Sequence, residues 1–161
     1  MVKMKNILMI ISIILNFGYS ITYLVPDDYN SIQIAIEASS DGDSIIVSPG
    51  QYYENIDFLG KEIVVASLFE ANDDSTIIGL TIIDASGDGS VATFKNDEAN
   101  NSVLQGFTLQ NGIGNSQDPD GNGSFYTYGG GIYCEESNPV IKNCIIKNNT
   151  ANQGGGGGVF C

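Results

Sequence analysis

Apolar and polar residues alternate along this chain in short runs rich in Ile, Val, Thr, Phe and Tyr, and Gly and Asn separate the runs. No 3.6-residue stripe crosses them. β-branched and aromatic residues bounded by turn formers predict strands rather than helices. Strands are expected near residues 44–48, 62–68, 76–83, 90–95, 102–110, 131–135, 139–147 and 158–161. One early segment departs from this pattern. Asn30 followed by Gln33 suits a capping box, and Ile32, Ala35 and Ile36 then share one helical face. A short amphipathic helix is predicted there, followed by a first strand in DSIIVSPG with Pro49-Gly50 as its turn.

The strand runs repeat. GGGIYC, ending at Cys134, returns as GGGVFC, ending at Cys161, with an offset of twenty-seven. Ile132 becomes Val159 and Tyr133 becomes Phe160. A flexible Gly-rich linker has no reason to keep a β-branched, an aromatic and a thiol residue in order. SVLQGFTLQNG from Ser102 also aligns with PVIKNCIIKNN from Pro139, at an offset of thirty-seven. That alignment pairs Val103 with Val140, Leu104 with Ile141, Leu109 with Ile146 and Asn111 with Asn148. The longer offset fits a loop insertion, NSQDPDGNGSFYTY, ahead of Gly129. Strand-like repeats with a period in the twenties indicate a solenoid. The composition excludes helical repeats, and no leucine-rich frame is present, which leaves a parallel β-helix. In that arrangement identical residues stack in columns, glycines turn the corners, and the predicted helix caps the open end.

The segment VPDDYNSIQIAIEASSDGDSIIVSPGQYYENI, from Val25 to Ile56, with GFTLQNG and the GGGIYC turns, resembles the right-handed parallel β-helix proteins of the pectin-lyase-like superfamily, especially exported bacterial repeat proteins. The resemblance covers nearly all of the chain after its first twenty residues. It implies an all-β, right-handed parallel β-helix with an N-terminal capping helix. It does not choose an activity, because that superfamily holds lyases, hydrolases, esterases, adhesins and inert scaffolds.

Charge and the N-terminus narrow the setting. The 161 residues carry 19 acidic side chains against 6 lysines, with no arginine or histidine and a net charge of −13. Nucleic acid is therefore not an expected partner, since phosphate binding needs clustered Lys and Arg. Lys3 and Lys5, the apolar run Ile7–Leu15, and small residues at Gly18 and Ser20 have the layout of a secretory signal peptide. Residues 1–20 are read as that signal and 21–161 as the β-helix domain, secreted or held at the cell surface. No membrane insertion is expected after cleavage. The chain closes inside an expected strand at Cys161, so further coils are expected beyond it.

The candidate chemistry is sparse. The superfamily's lyases use an Arg or Lys base beside Ca²⁺, and its esterases a carboxylate pair with Gln and Arg; the missing arginine counts against both. Lys142 and Lys147 read as surface residues around Cys144. Asp84 and Asp88 are the nearest approach to a carboxylate pair, although DASGDG reads as a turn. Without histidine there is no Ser-His or Cys-His nucleophile. Asp118, Asp120 and Asn122 place oxygen ligands at alternate positions, as in the first half of a calcium loop, but the twelfth position is Gly129 rather than Glu. Glu135 and Glu136 complete such a site only if the fold brings them near. Cys134 and Cys161 should stack on adjacent coils, either as a disulfide or as a thiol column, with Cys144 free on the next face. Tyr133 and Phe160 should form an outward aromatic column, suited to stacking on sugar rings or to bracing the coils. Asn111 and Asn148 should form a corner ladder. Asn122 and Asn148 also head glycosylation acceptor triplets.

These observations predict an exported, non-catalytic β-helix scaffold of adhesion type that contacts extracellular polysaccharide, with calcium as the one candidate ion. The alternative is the N-terminal part of a polysaccharide-degrading enzyme whose catalytic coils lie beyond residue 161.

Overall fold

The computed structural model describes residues 19–69 and 74–161. The expected signal peptide therefore lies outside the described residues, apart from Tyr19 and Ser20. No helix among the described residues is long and apolar enough to cross a membrane.

The fold is all-β with parallel sheets and little helix. The elements run β1 (Thr22–Val25), α1 (Ile32–Ala38), β2 (Ser44–Val47), β3 (Gly50–Tyr53), β4 (Ile56–Asp57) and β5 (Val64–Ser67). They continue through α2 (Thr76–Leu80), β6 (Thr81–Asp84), β7 (Ala92–Phe94), β8 (Val103–Gln105) and β9 (Thr108–Gln110). The last are β10 (Asn115–Gln117), β11 (Tyr126–Tyr128), β12 (Ile132–Cys134), β13 (Val140–Lys142), β14 (Ile145–Lys147) and β15 (Val159–Phe160). Among the described residues, three parallel sheets form, in the orders β1-β2-β5-β8-β13, β3-β6-β9-β14 and β4-β7-β12-β15. The chain visits the first, second and third sheets in rotation, so each pass lays its strands on those of the pass before. β10 and β11 form a separate antiparallel hairpin.

The register agrees with the sequence repeats. Ile132 pairs with Val159 and Tyr133 with Phe160. Val140 pairs with Val103, Ile141 with Leu104, and Ile146 with Leu109. Inward columns follow from it. Ile45, Val65, Leu104 and Ile141 stack on the first sheet, and Tyr52, Ile83, Leu109 and Ile146 on the second. The Phe58 and Phe94 rings lie 4.4 Å apart inside the third sheet, and Cys134 is the strand partner of Phe94.

The glycines of the GGGIYC phrase allow these strands to approach. Gly129, Gly130 and Gly131 donate their N–H groups to Gly155, Gly156 and Gly157, which extends the β12–β15 ladder backwards. A Cβ at Gly130 would press on the carbonyl oxygens of Thr150 and Gly157. Gly129 and Gly156 also turn the chain at φ 61° and 66°.

Several elements differ from the sequence expectation. Residues 76–83 are not one strand. Asp74 accepts from the Thr76 N–H and hydroxyl, the chain turns as α2 with Ile77 buried, and only then extends as β6. The runs 102–110 and 139–147 each divide into two strands, at Gly106 (φ 82°) and Asn143 (φ 53°), where a left-handed residue swings the chain from the first sheet to the second. Pro49-Gly50 does not end the pairing, because β3 starts at Gly50. The helix α1 buries Ile32, Ala35 and Ile36 as expected and packs against β1, β2 and β4. Its cap is Ser31 rather than Asn30, with the Ser31 side chain accepting from Ile34 N. Gln33 accepts from Asp57 N instead of folding back. The next turns supply the missing caps. Glu54 accepts from the N–H groups of Ile32 and Gln33, and Lys61 Nζ donates to the carbonyls of Ile36, Glu37 and Ser39. An anion at the N-terminus and a cation at the C-terminus both complement the helix dipole.

Two glycine substitutions should separate close approach from propensity. Gly130→Ala is expected to destabilise by roughly 2–4 kcal/mol, because its methyl meets backbone that cannot move aside. Gly79→Ala in α2, where nothing lies within 4 Å, is expected to stabilise by about 0.5–1 kcal/mol. Urea unfolding midpoints of the two variants check both signs.

Candidate functional site

On the outer face of the third sheet the register aligns Asp57, Thr93, Tyr133 and Phe160 in one column. Three strand spacings of about 4.8 Å give this column a length of roughly 14 Å. The β10–β11 hairpin, from the inserted segment after β9, lies along one side of it. Asn115 Nδ2 donates to Thr93 Oγ1 at 3.2 Å, and Gln117 Nε2 to Tyr133 Oη at 3.2 Å. Asn152 N donates to Thr127 Oγ1 at 2.6 Å, tying the hairpin to the next pass of the chain. The Tyr128 ring lies 4.9 Å from Phe160, and Tyr133 stacks on Phe160 at 5.6 Å with the rings 12° from parallel.

Two adjacent cavities occupy the trough so formed. One, of about 300 Å³, is polar and is lined by Gln33, Asn55, Asp57, Thr93, Lys95 and Asn115 among others. The other, of about 290 Å³, is lined by Gln117, Pro119, Tyr128, Tyr133, Glu135 and Phe160. Lys95 Nζ lies 3.5 Å from Asp57 Oδ2.

The aromatic column exists, but Tyr133 is not an exposed platform. It is 2 % exposed, because the hairpin and Phe160 cover it. Burial, reinforced by the Glu135 carboxylate, pushes its phenol up to about 12. Phe160 and Tyr128 are half-buried and supply the accessible ring surface. Sequence reasoning missed the Asp57–Thr93 half of the column and the hairpin wall. A Gly-, Asp- and Asn-rich turn leading into the alternating run Tyr126–Tyr128 was the available signal for that wall.

The remaining candidate residues take structural roles. Asp84 is 4 % exposed, and its Oδ2 accepts from Gln51, Gln110 and Asn111 while Oδ1 accepts from Ser86 N. Burial works against its charge, but the bonds from Gln110, Ser86 N, Asn111 and Gln51 prevail and hold the carboxyl below its ordinary range. Asp88 is exposed and accepts from Gly89 N, so the two acids do not form a catalytic pair. Glu98, 1 % exposed and not singled out from sequence, accepts from Gly60 N, Asn96 N and Ser137 Oγ. Burial opposes its charge too, and again those donors win, so its carboxyl is also lowered.

Asn111 adopts φ 62° and Asn148 φ 56°, and both mark corners. The Asn111 amide donates to Asp84 of the preceding pass, and Asn149, beside Asn148, accepts from Gly112 N and donates to Leu109 O. Cys134, Cys144 and Cys161 are free thiols. Burial, then the neighbouring Cys161, pushes the Cys134 thiol up. Cys144, unpaired and between the first and second sheets, packs against the core, and burial raises its thiol as well. Thiols kept protonated are poor nucleophiles and poor metal ligands.

The Asp118 loop is an exposed turn tied by its own side chains. Asp118 Oδ1 and Oδ2 already accept from the N–H groups of Asn122 and Gly123, and Asn122 Oδ1 accepts from Ser124 N. Among the described residues, no group of three or more His, Cys, Asp or Glu side chains could hold a metal. Glu135 borders the aromatic cavity.

No family model matches this chain, and neither the curated proteins nor the solved structures give a significant match.

Two measurements follow from these environments. Asp84 and Glu98 have lowered carboxyls, so the stability they supply is full above their unfolded value, near 4, and is lost as the pH falls through their folded values. Glu98→Gln should lower the unfolding midpoint at pH 7 and flatten its acid limb, as read by circular dichroism against pH. Calcium added to the wild-type chain should leave the melting temperature unchanged, since no third acidic side chain joins Asp118 and Asp120 among the described residues. A rise on calcium addition would contradict that assignment.

Proposed function

We propose that this chain is an exported, non-catalytic scaffold, a right-handed parallel β-helix of the pectin-lyase-like type, that contacts extracellular glycans along the outer face of its third sheet. The rotation of the chain through three parallel sheets, the in-register columns and the capping helix support that architecture. The glycan reading rests above all on the trough. Its stacked aromatic end adjoins a cleft of amide, hydroxyl and charged groups, and sugars present the matching combination of apolar ring faces and hydroxyl edges. The scaffold reading is supported by the commitment of the buried carboxylates Asp84 and Glu98 to hydrogen bonds and by a sequence without arginine or histidine.

Titration of the purified chain against a panel of soluble oligosaccharides tests the proposal. At least one glycan should bind, and Phe160→Ala should weaken it about tenfold, the equivalent of roughly 1.4 kcal/mol for a stacked ring. Absence of binding across neutral, acidic and amine-bearing glycans, or binding indifferent to Phe160, overturns it.

A further inference from the structure

We infer that the trough selects glycans bearing free amino groups, a polymer of hexosamine rather than of uronic acid; this rests on the glycan reading above. The electrostatics of the trough carry the inference. Asp57, Asp88 and Glu135 border the two cavities, and Lys95 is the one cation among their lining residues. Lys95 lies 3.5 Å from Asp57, so its charge is met within the protein. Asp88 and Glu135 are exposed carboxylates with no cationic partner among the described residues. They stand at the polar and aromatic ends of the trough.

A uronate or sulfated chain entering here would bring anions against these carboxylates, in a protein of net charge −13 with no arginine to receive them. An ammonium-bearing sugar meets complementary charge. Such pairs form in a water-exposed setting, so salt weakens them. The cleft also provides neutral contacts. Thr93, only 6 % exposed, accepts from Asn115 Nδ2, and its own hydroxyl hydrogen meets no acceptor among the described residues. That leaves a buried donor for a sugar oxygen. The amides of Gln33 and Asn55 line the same cleft. The hydroxyl and amides recognise a sugar, and the carboxylates choose among sugars.

The test uses the whole chain and three probes of matched length: an oligomer of β-1,4-linked glucosamine, its fully N-acetylated twin, and oligogalacturonate. The glucosamine oligomer should bind at least tenfold more tightly than its acetylated twin at low salt, and high salt should erase the difference. Oligogalacturonate should bind most weakly. Asp88→Asn and Glu135→Gln should each reduce the preference a few-fold, and the double variant should bind the two hexosamine probes alike. Both positions are exposed, and an unchanged unfolding midpoint shows that each variant has folded. Equal affinity for the acetylated twin, or a preference for oligogalacturonate, overturns the amine selectivity and leaves the glycan reading standing. Failure of all three probes to bind overturns the amine selectivity, and the glycan reading falls with it only if the wider oligosaccharide panel also fails to bind.

Discussion

The backbone hydrogen bonds between successive passes of the chain are the constraint on which the rest of the molecule depends. A parallel ladder holds neighbouring strands about 4.8 Å apart, so whatever occupies one position on a strand must tolerate its counterpart above and below. Inside, this condition selects columns of Ile, Val, Leu and Phe, such as Ile45, Val65, Leu104 and Ile141. At the corners it selects residues that accept a left-handed turn, such as Gly106 and Asn143. Where backbone meets backbone it leaves no room for a side chain, and there the chain carries Gly130 and Gly131. Glycine weakens a strand in isolation. Here it is the residue that lets the ladder close.

The same stacking explains how a chain with so few cations keeps carboxylates inside. Among the described residues no Lys neutralises Asp84 or Glu98; N–H and O–H donors arriving from the passes on either side solvate them. Each carboxylate thereby joins segments distant in sequence, and its lowered affinity for protons expresses that cohesion. Glu54 and Lys61 work similarly at the first helix, each reaching from a later pass to satisfy one end of α1. The helix is only seven residues long, too short to be stable by itself. Its burial and these two end contacts hold it in place.

Much of this arrangement was legible in the residues. The phrases GGGIYC and GGGVFC, and the paired runs from Ser102 and Pro139, correspond to direct strand partners, because side chains that stack in columns leave matched letters at a fixed offset. Earlier passes were less legible. Ala92 has two partners in the third sheet, Ile56 and Ile132, with no shared letters around them to mark the pairing. Local cues also misled: the Ile-rich run from Thr76 is half helix, since Asp74 captures the Thr76 N–H and hydroxyl and begins a turn that β propensity does not register. The trough was half visible. Tyr133 and Phe160 could be placed on one face by alternation, but their cover could not, because it depends on where an inserted hairpin folds back. Gln117 and Asn115 reach Tyr133 and Thr93 across gaps in sequence that no repeat encodes.

That hairpin enters the chain between β9 and β12, and among the described residues its strands β10 and β11 pair only with each other, apart from a single bridge from Thr127 to Gln153. The three sheets are therefore built without it, although it forms a wall of the trough. Surface insertions of this kind cost little in loop closure as they lengthen. The stacked framework is consequently independent of that wall, and a lineage of such chains can lengthen, shorten or exchange the hairpin while the passes beneath it stay as they are.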